Sequence, residues 1–386
     1  MATRYLRRDE GLFTADSVAR RVWAYPTSAL LGFIRAVTIE HLDPDLTAAV
    51  DASGQVLQRP ALRYDRTVQY FATVLFGDAE SVIKSSDILM KVHARAHGPN
   101  PVTGGTFDSN DPDSQLWIHM TAWHSILYVY EKYGPGTLSR AEETEYWREC
   151  AVAAAMQPIH LENVPTSRGE VQKYFDDWRD RLAASEQAVY NIDFILDGMR
   201  TIFTALPAPM RAAFGPVIRA GVIATYPRWM RPLMGVRQSR LVDSLVTALI
   251  RPGMATLARS PRAQMWFLER VAPRGGPVLT GYIRGVPAES SSVYSPESAR
   301  AKFGDPRPPL QQYADQLAAR GLDTALTPYK RNHHEAPLEF VAPRAQAGSA
   351  RGRARRPVRN HNRRHRRGRA ELSWRETTSP LCCLYM

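Results

Sequence analysis

Ser114-Gln115-Leu116-Trp117-Ile118-His119-Met120-Thr121-Ala122-Trp123-His124-Ser125-Ile126-Leu127-Tyr128-Val129-Tyr130-Glu131-Lys132-Tyr133 is the stretch that decides the fold of this 386-residue chain. Leu116, His119, Trp123, Ile126 and Tyr130 recur at alternating steps of three and four residues, which places them on one face of an α-helix and on no single face of a strand. Its ends carry helix punctuation. Asp111-Pro112-Asp113 supplies a cap and first-turn chemistry, and Gly134-Pro135 stops the run.

The same grammar extends outward in both directions. A helix from about Leu62 to Phe76 stops at Gly77, a residue suited to the left-handed helix stop, and Asp78 caps a second that reaches His97 before Gly98. Ser139-Arg140-Ala141-Glu142 is a capping box opening a helix that includes Tyr146, Trp147, Cys150 and Ala151. Ser167 with Glu170 forms a similar box before Val171 to Val189. Helical signals dominate to about residue 270, with no internal repeat and no alternating strand run, so the expected fold class is all-α. Beyond Val271 the Pro273-Arg274-Gly275-Gly276-Pro277 and Pro306-Arg307-Pro308-Pro309 clusters read as loop or linker, with one short helix around Gln311 to Arg320 able to dock.

The formal charge of +12 sits almost entirely at the C-terminal end. Residues Arg344 to Met386 hold twelve Arg, no Lys and two acids, Glu371 and Glu376, a net +10 that leaves +2 for everything before them. From Ala345 the text is Arg, Gly, Ala and His with almost nothing apolar, so it cannot offset its ordering entropy and is expected to be a disordered tail. Arg353 to Arg369 can neutralise phosphates, but no aromatic is interleaved for base stacking until Trp374, so nucleic acid is a partner of the tail at most. Cys150, Cys382 and Cys383 make no disulfide framework, and no run approaches the roughly 18 apolar residues of a membrane span. A cytoplasmic setting is expected. Arg20-Arg21 ahead of Ala29-Leu30-Leu31-Gly32-Phe33-Ile34 is similar to a twin-arginine signal, yet the apolar run is short and no small-residue cleavage pattern follows. Cys383-Leu384-Tyr385-Met386 formally fits a prenylation box.

Chemistry concentrates on three of the helices. Arg63, Arg66, Thr67 and Tyr70 project within about 100° of arc on a helix face that also carries Phe71 and Val74. Two guanidinium groups on such a face need either carboxylates from elsewhere in the fold or a bound anion or polar group. Val82, Ser86, Leu89, His93 and His97 recur at helical spacing, which puts His93 mid-helix on the core face and His97 one turn beyond. A core histidine is either a hydrogen-bonded structural residue or a metal ligand. The pair could also chelate zinc across one turn, although the Glu of the metalloprotease motif is absent. His119 faces inward as well. Two inward histidines on neighbouring helices indicate a cofactor pocket without naming the cofactor.

The order Arg63-x-x-Arg66-Thr67, Phe76-Gly77, Lys91-Val92-His93-Ala94-Arg95, Gly104-Gly105 before Phe107, Asp111-Pro112, Trp117-Ile118-His119-Met120-Thr121 and Leu138-Ser139 before Tyr146 resembles the latex-clearing-protein and MpaB-like oxygenases. The resemblance covers residues 12–270, followed by a Pro/Gly-rich extension at 271–344 and the tail at 345–386. It implies a single helical domain enclosing a non-covalent haem b, with His93 as the iron ligand and His119 as a pocket residue. It implies too that Arg63, Arg66 and Thr67 line the oxygen-binding side, with Arg63 an electrostatic anchor. Cations and a hydroxyl on an apolar face suit haem propionates or dioxygen. Covalent attachment is excluded by the lack of Cys-x-x-Cys-His. The implied activity is a haem-dependent oxygenase that uses dioxygen to oxidise or cleave a C=C bond in a hydrophobic, isoprenoid-like substrate. A contrasting reading is a non-catalytic haem-binding or degenerate pocket protein whose tail docks nucleic acid or an anionic surface. Two departures bear on the chemistry. Arg66 stands where the latex-clearing enzymes have Lys, and Arg stays charged and cannot shuttle a proton. Phe107 stands where many MpaB-like members have Tyr, and it lacks the hydroxyl.

Overall fold

A computed structural model of the chain describes residues 7–322, which form helices, their connecting turns and one short hairpin. The early apolar run becomes α1 (Val18–Trp23), a π-helical turn at Ser28–Gly32 and α2 (Phe33–Glu40). Arg20 of the Arg20-Arg21 pair is buried in α1, where it pairs with Glu10 at 2.5 Å and donates to the Leu75 carbonyl at 2.7 Å. Next come α3 (Pro44–Ser53), α4 (Pro60–Phe76), α5 (Ala79–His93), the antiparallel strands β1 (His97–Pro99) and β2 (Thr106–Asp108), α6 (Pro112–Tyr133) and α7 (Arg140–Ala154).

The decisive stretch is α6, and it runs through the core. Leu116, Trp117, Met120, Trp123, Ile126 and Tyr133 are all buried, as expected of a helix that is apolar around most of its circumference. The Asp111 carboxylate caps it by accepting from the N–H groups of Asp113 and Ser114 at 3.1 and 3.0 Å. Helix α2 and the π-helical turn lie against it. A Cβ on Gly32 would stand 2.5 Å from Ile126 Cδ1, so any larger residue would displace the Ile126 side chain from this approach. The capping box expected at Ser139 and Glu142 is present at the start of α7.

Three local expectations are corrected. Helix α5 ends at His93 and does not continue to His97, because Ala96 N–H turns back to the His93 carbonyl and the chain enters the hairpin, where Gly98 pairs with Phe107. His97 kept the helical phase only by coincidence, so the one-turn zinc pair does not form. Gly77 is extended, with φ −76° and ψ 162°, and a Cβ there would meet the Thr73 carbonyl oxygen at 2.6 Å. Its role is clearance and not a left-handed stop. The run expected from Val171 to Val189 breaks into α8 (Arg168–Trp178) and α9 (Glu186–Leu196), because Ala183 N–H is drawn to the Leu42 carbonyl and Ser185 caps a new helix.

Beyond these lie α10 (Ala208–Ile223), α11 (Arg240–Ala258) and α12 (Pro261–Val271). The segment after Val271 is not a linker over the described residues. It folds into α13 (Gly276–Ile283), α14 (Pro296–Phe303) and α15 (Pro309–Ala319), the last being the short docking helix that was expected. Buried Asp65 of α4 accepts from the N–H groups of Arg274 and Gly275 at 3.0 and 3.1 Å, which seats α13 on α4. Arg300 of α14 bonds Asp87 at 3.0 Å and Ser86 Oγ at 2.6 Å on α5. The Pro and Gly clusters therefore punctuate short helices that brace the two helices carrying the candidate residues. Residues 323–344 and the tail expected at 345–386 lie outside the described residues.

Candidate functional site

Helices α2, α4, α5 and α6 converge on a cavity of about 130 Å³ lined by Glu40, His41, Arg63, Arg66, Thr67, Tyr70, His93, Gln115 and Gln157, with Val37, Leu46, Phe71, Leu89 and Ile118 as apolar wall. A smaller cavity of about 80 Å³ adjoins it, lined also by Phe107 and Asp108 of the hairpin. Leu46, Arg63, His93, Gln115 and Ile118 border both, so they form the partition between the two spaces. The face of α4 expected from sequence is thus brought opposite His93.

Among the described residues the cationic face has no carboxylate partner within ion-pair distance: neither Arg63 nor Arg66 forms a salt bridge, and a buried Nη1 of Arg63 has no hydrogen-bond partner. Burial pushes Arg63 down to about 10, opposed by the nearby charge of Glu40. Burial likewise pushes Glu40 up to about 7, opposed by the Thr121 hydroxyl that donates to it at 3.0 Å and by Arg63. Both shifts are dominated by burial, so the attraction between them does not repay the desolvation of either. Thr67 Oγ1 donates to the Arg63 carbonyl at 3.1 Å, which fixes its hydroxyl oxygen on the cavity side.

The two imidazoles on the wall are neutral at pH 7. His93 is pushed down to about 4, chiefly by burial and also by Arg63, while Asp108 and a hydrogen bond to the Ser109 carbonyl oppose the shift. Its Nδ1 stands 3.2 Å from Gln115 Nε2, which itself donates to the Ser109 carbonyl at 2.5 Å. An amide N–H can only donate, so Nδ1 accepts from Gln115 and the ring proton sits on Nε2 in this arrangement. His41 is also pushed down to about 4, chiefly by burial, with the Val37 carbonyl opposing and Arg63 reinforcing. His41 Nδ1 donates to that carbonyl at 2.6 Å, and its buried Nε2 has no partner among the described residues.

His119 is fully buried but does not line either cavity. Its Nε2 donates to the Cys150 carbonyl at 3.0 Å and its Nδ1 accepts from Gln157 Nε2 at 3.1 Å, so both ring nitrogens are engaged by protein. Gln157 stands between it and the cavity. His97 is exposed on β1, away from these walls. Cys150 is buried, and burial holds its thiol well above the usual range, so nothing there favours a thiolate.

Sequence reasoning missed Glu40, His41, Gln115 and Gln157. Val37, Glu40 and His41 do share one helical face at steps of three and four, a signal hidden because the run reads as apolar up to Ile39. Gln115 sits one residue before the apolar stripe of α6.

A family model described as ER-bound oxygenase mpaB/B'/Rubber oxygenase, catalytic domain, matches residues 20–259, a span that holds every wall residue named above. No curated protein and no solved structure gives a significant match.

Proposed function

Because the chain belongs to the family of the mpaB and rubber oxygenase catalytic domain, we propose that its oxygenase chemistry runs on a haem b held at the α2–α4–α5–α6 cavity, with His93 as the iron ligand. The observation that carries the proposal is the donor set: neutral imidazoles and guanidinium groups without an ion pair among the described residues, around one apolar-walled cavity. That set fits haem. Arg63 and Arg66 would neutralise propionates, and Val37, Leu46, Phe71, Leu89 and Ile118 would meet the macrocycle or an apolar substrate. The two cavities are smaller than the roughly 300–1,000 Å³ usual for cofactor sites, so the Arg63 side chain in the partition would have to turn aside on binding.

When bound, haem supplies the redox chemistry that activates dioxygen. The protein's own residues hold and tune the site. Gln115, itself anchored on the Ser109 carbonyl, orients the His93 ring through Nδ1. His41 is the other imidazole on the wall, and with no partner for its Nε2 among the described residues it is the second group able to bind iron. Arginine is a poor proton shuttle, so a proton role passes to Glu40, whose carboxyl titrates near pH 7 and can both hold and release a proton. Apolar walls exclude water and favour a hydrophobic substrate such as an alkene of the isoprenoid class. The test is the absorption spectrum of the chain with haem supplied, followed by oxygen uptake with and without a polyisoprenoid. A Soret band and substrate-dependent uptake are expected. A chain that shows no Soret change with added haemin, or that binds haem without oxygen uptake on any alkene offered, would overturn the cofactor or the activity respectively.

A further inference from the structure

Helix α11 presents an apolar face to solvent. Its inner residues Val246, Ile250 and Met254 are buried against α10, α6 and α12, and a Cβ on Gly221 of α10 would stand 2.3 Å from Ile250 Cδ1. Leu241, Leu245 and Leu249 run along the opposite side at steps of four, exposed by 69%, 60% and 59%. Val242, Ala248 and Pro252 are exposed beside them, and at about 100° per residue the six span an arc of roughly 120° with no charged side chain in it. A solvated helix normally carries its charges on that side.

The charges lie at the margins of this face. Residues 228–262 contain seven Arg and one acid, Asp243, which pairs with buried Arg231 at 2.9 Å. The other six, Arg228, Arg237, Arg240, Arg251, Arg259 and Arg262, are exposed, and none forms a salt bridge among the described residues. On the helical wheel Arg240 and Arg251 share one flank of the stripe, and Arg259 continues its line at the C-terminal end.

We infer that the outer face of α11 docks on an anionic lipid bilayer, lying in the interface with its leucines in the acyl boundary and its arginines at the headgroups. The helix is long and apolar enough to cross a membrane by length and composition. Its inner face is committed to the core, however, so it lies on the surface and does not span it. A second copy of the chain is a poor occupant, because an isologous contact would bring two sets of six unpaired arginines together. The chain's own residues 345–386 are poorer still, because their eleven Arg against two acids would repel the arginines that flank the face.

The test is co-sedimentation of the full chain with phosphatidylcholine vesicles containing roughly 30% phosphatidylglycerol, against pure phosphatidylcholine. Since the C-terminal arginines also attract anionic lipid, the informative comparison is with a Leu245→Gln/Leu249→Gln chain, which keeps those arginines and the net charge and alters only the exposed stripe. Both positions face solvent, and circular dichroism checks that the helix content is unchanged. Wild type is expected to partition about tenfold or more above the double variant on anionic vesicles, and to retain part of its binding in about 0.5 M salt, where charge alone is screened. Equal partitioning of the two chains assigns lipid binding to the C-terminal arginines and overturns the inference. So does a wild-type dimer that the double substitution dissociates while vesicle binding is nil, since the face then belongs to a second copy.

Discussion

Replacing Glu40 with Gln removes a buried carboxyl while keeping its shape and the oxygen that accepts from Thr121. Burial raises the folded-state value from 4.5 to about 7. A raised carboxyl means that the native state binds the proton more tightly than the unfolded chain does. The associated stability is present in full below pH 4.5 and is lost as pH rises through 7. At about 1.36 kcal/mol per pKa unit, the wild-type chain gives up about 3 kcal/mol between pH 4.5 and pH 8 from this group alone. The attraction of Arg63 is already contained in that shift, and Arg63 is charged in both chains. Glu40→Gln should therefore match wild type near pH 5 and exceed it by about 3 kcal/mol at pH 8, roughly 6 °C in Tm for a domain of this size. The assay is urea or thermal unfolding of both chains across that range, read as a difference. Taking the difference matters because His41, His93 and His119 are each depressed to about 4 and impose the opposite slope, losing stability as pH falls from 6.5 toward 4 in both chains. Parallel curves for the two chains would refute a carboxyl that titrates near neutrality, and with it the proton role given to Glu40.

His93→Ala should abolish haem retention while exposed His97→Ala leaves the Soret band intact; a normal haem complement in the first variant moves the ligand elsewhere, with His41→Ala the next chain to assay. His119→Ala should keep the band but lose about 2 kcal/mol in urea unfolding, because the Cys150 carbonyl and the Gln157 amide are left unpaired; loss of haem with unchanged stability refutes the structural role. Gly275→Ala places a Cβ 2.7 Å from Val68 Cγ1 and 3.0 Å from Gln69 N, and should cost about 1–3 kcal/mol, whereas Gly169→Ala meets nothing within 4 Å and should be neutral or slightly stabilising; equal denaturation midpoints count against the docking of α13 on α4. A chain ending at Ala345 should keep the Tm and haem content of the full chain, and its failure to accumulate as soluble protein refutes a dispensable tail.

Helix period, capping and stop signals are local, set by bonds from each residue to one four positions away, so α4 and α6 and the inward side of His93 and His119 were legible from residues alone. The family, too, could be identified from motif order before any coordinates. Which inward side chains share a wall is not local. Both His93 and His119 face the core, yet only packing decides that His93 reaches the cavity while Gln157 and the Cys150 carbonyl enclose His119. Glu40 and His41 acquire their properties from burial under α4 and α6, a desolvation that the words Ile39-Glu40-His41-Leu42 cannot express. The Pro- and Gly-rich text after Val271 read as linker because it has weak helical period. It becomes a brace only through long-range partners, Asp65 accepting from the Gly275 N–H and Asp87 accepting from Arg300, across more than 200 residues of chain. Local hydrogen bonding wrote the helices into the sequence, whereas the cavity and its shifted proton equilibria exist only where distant segments exclude water together.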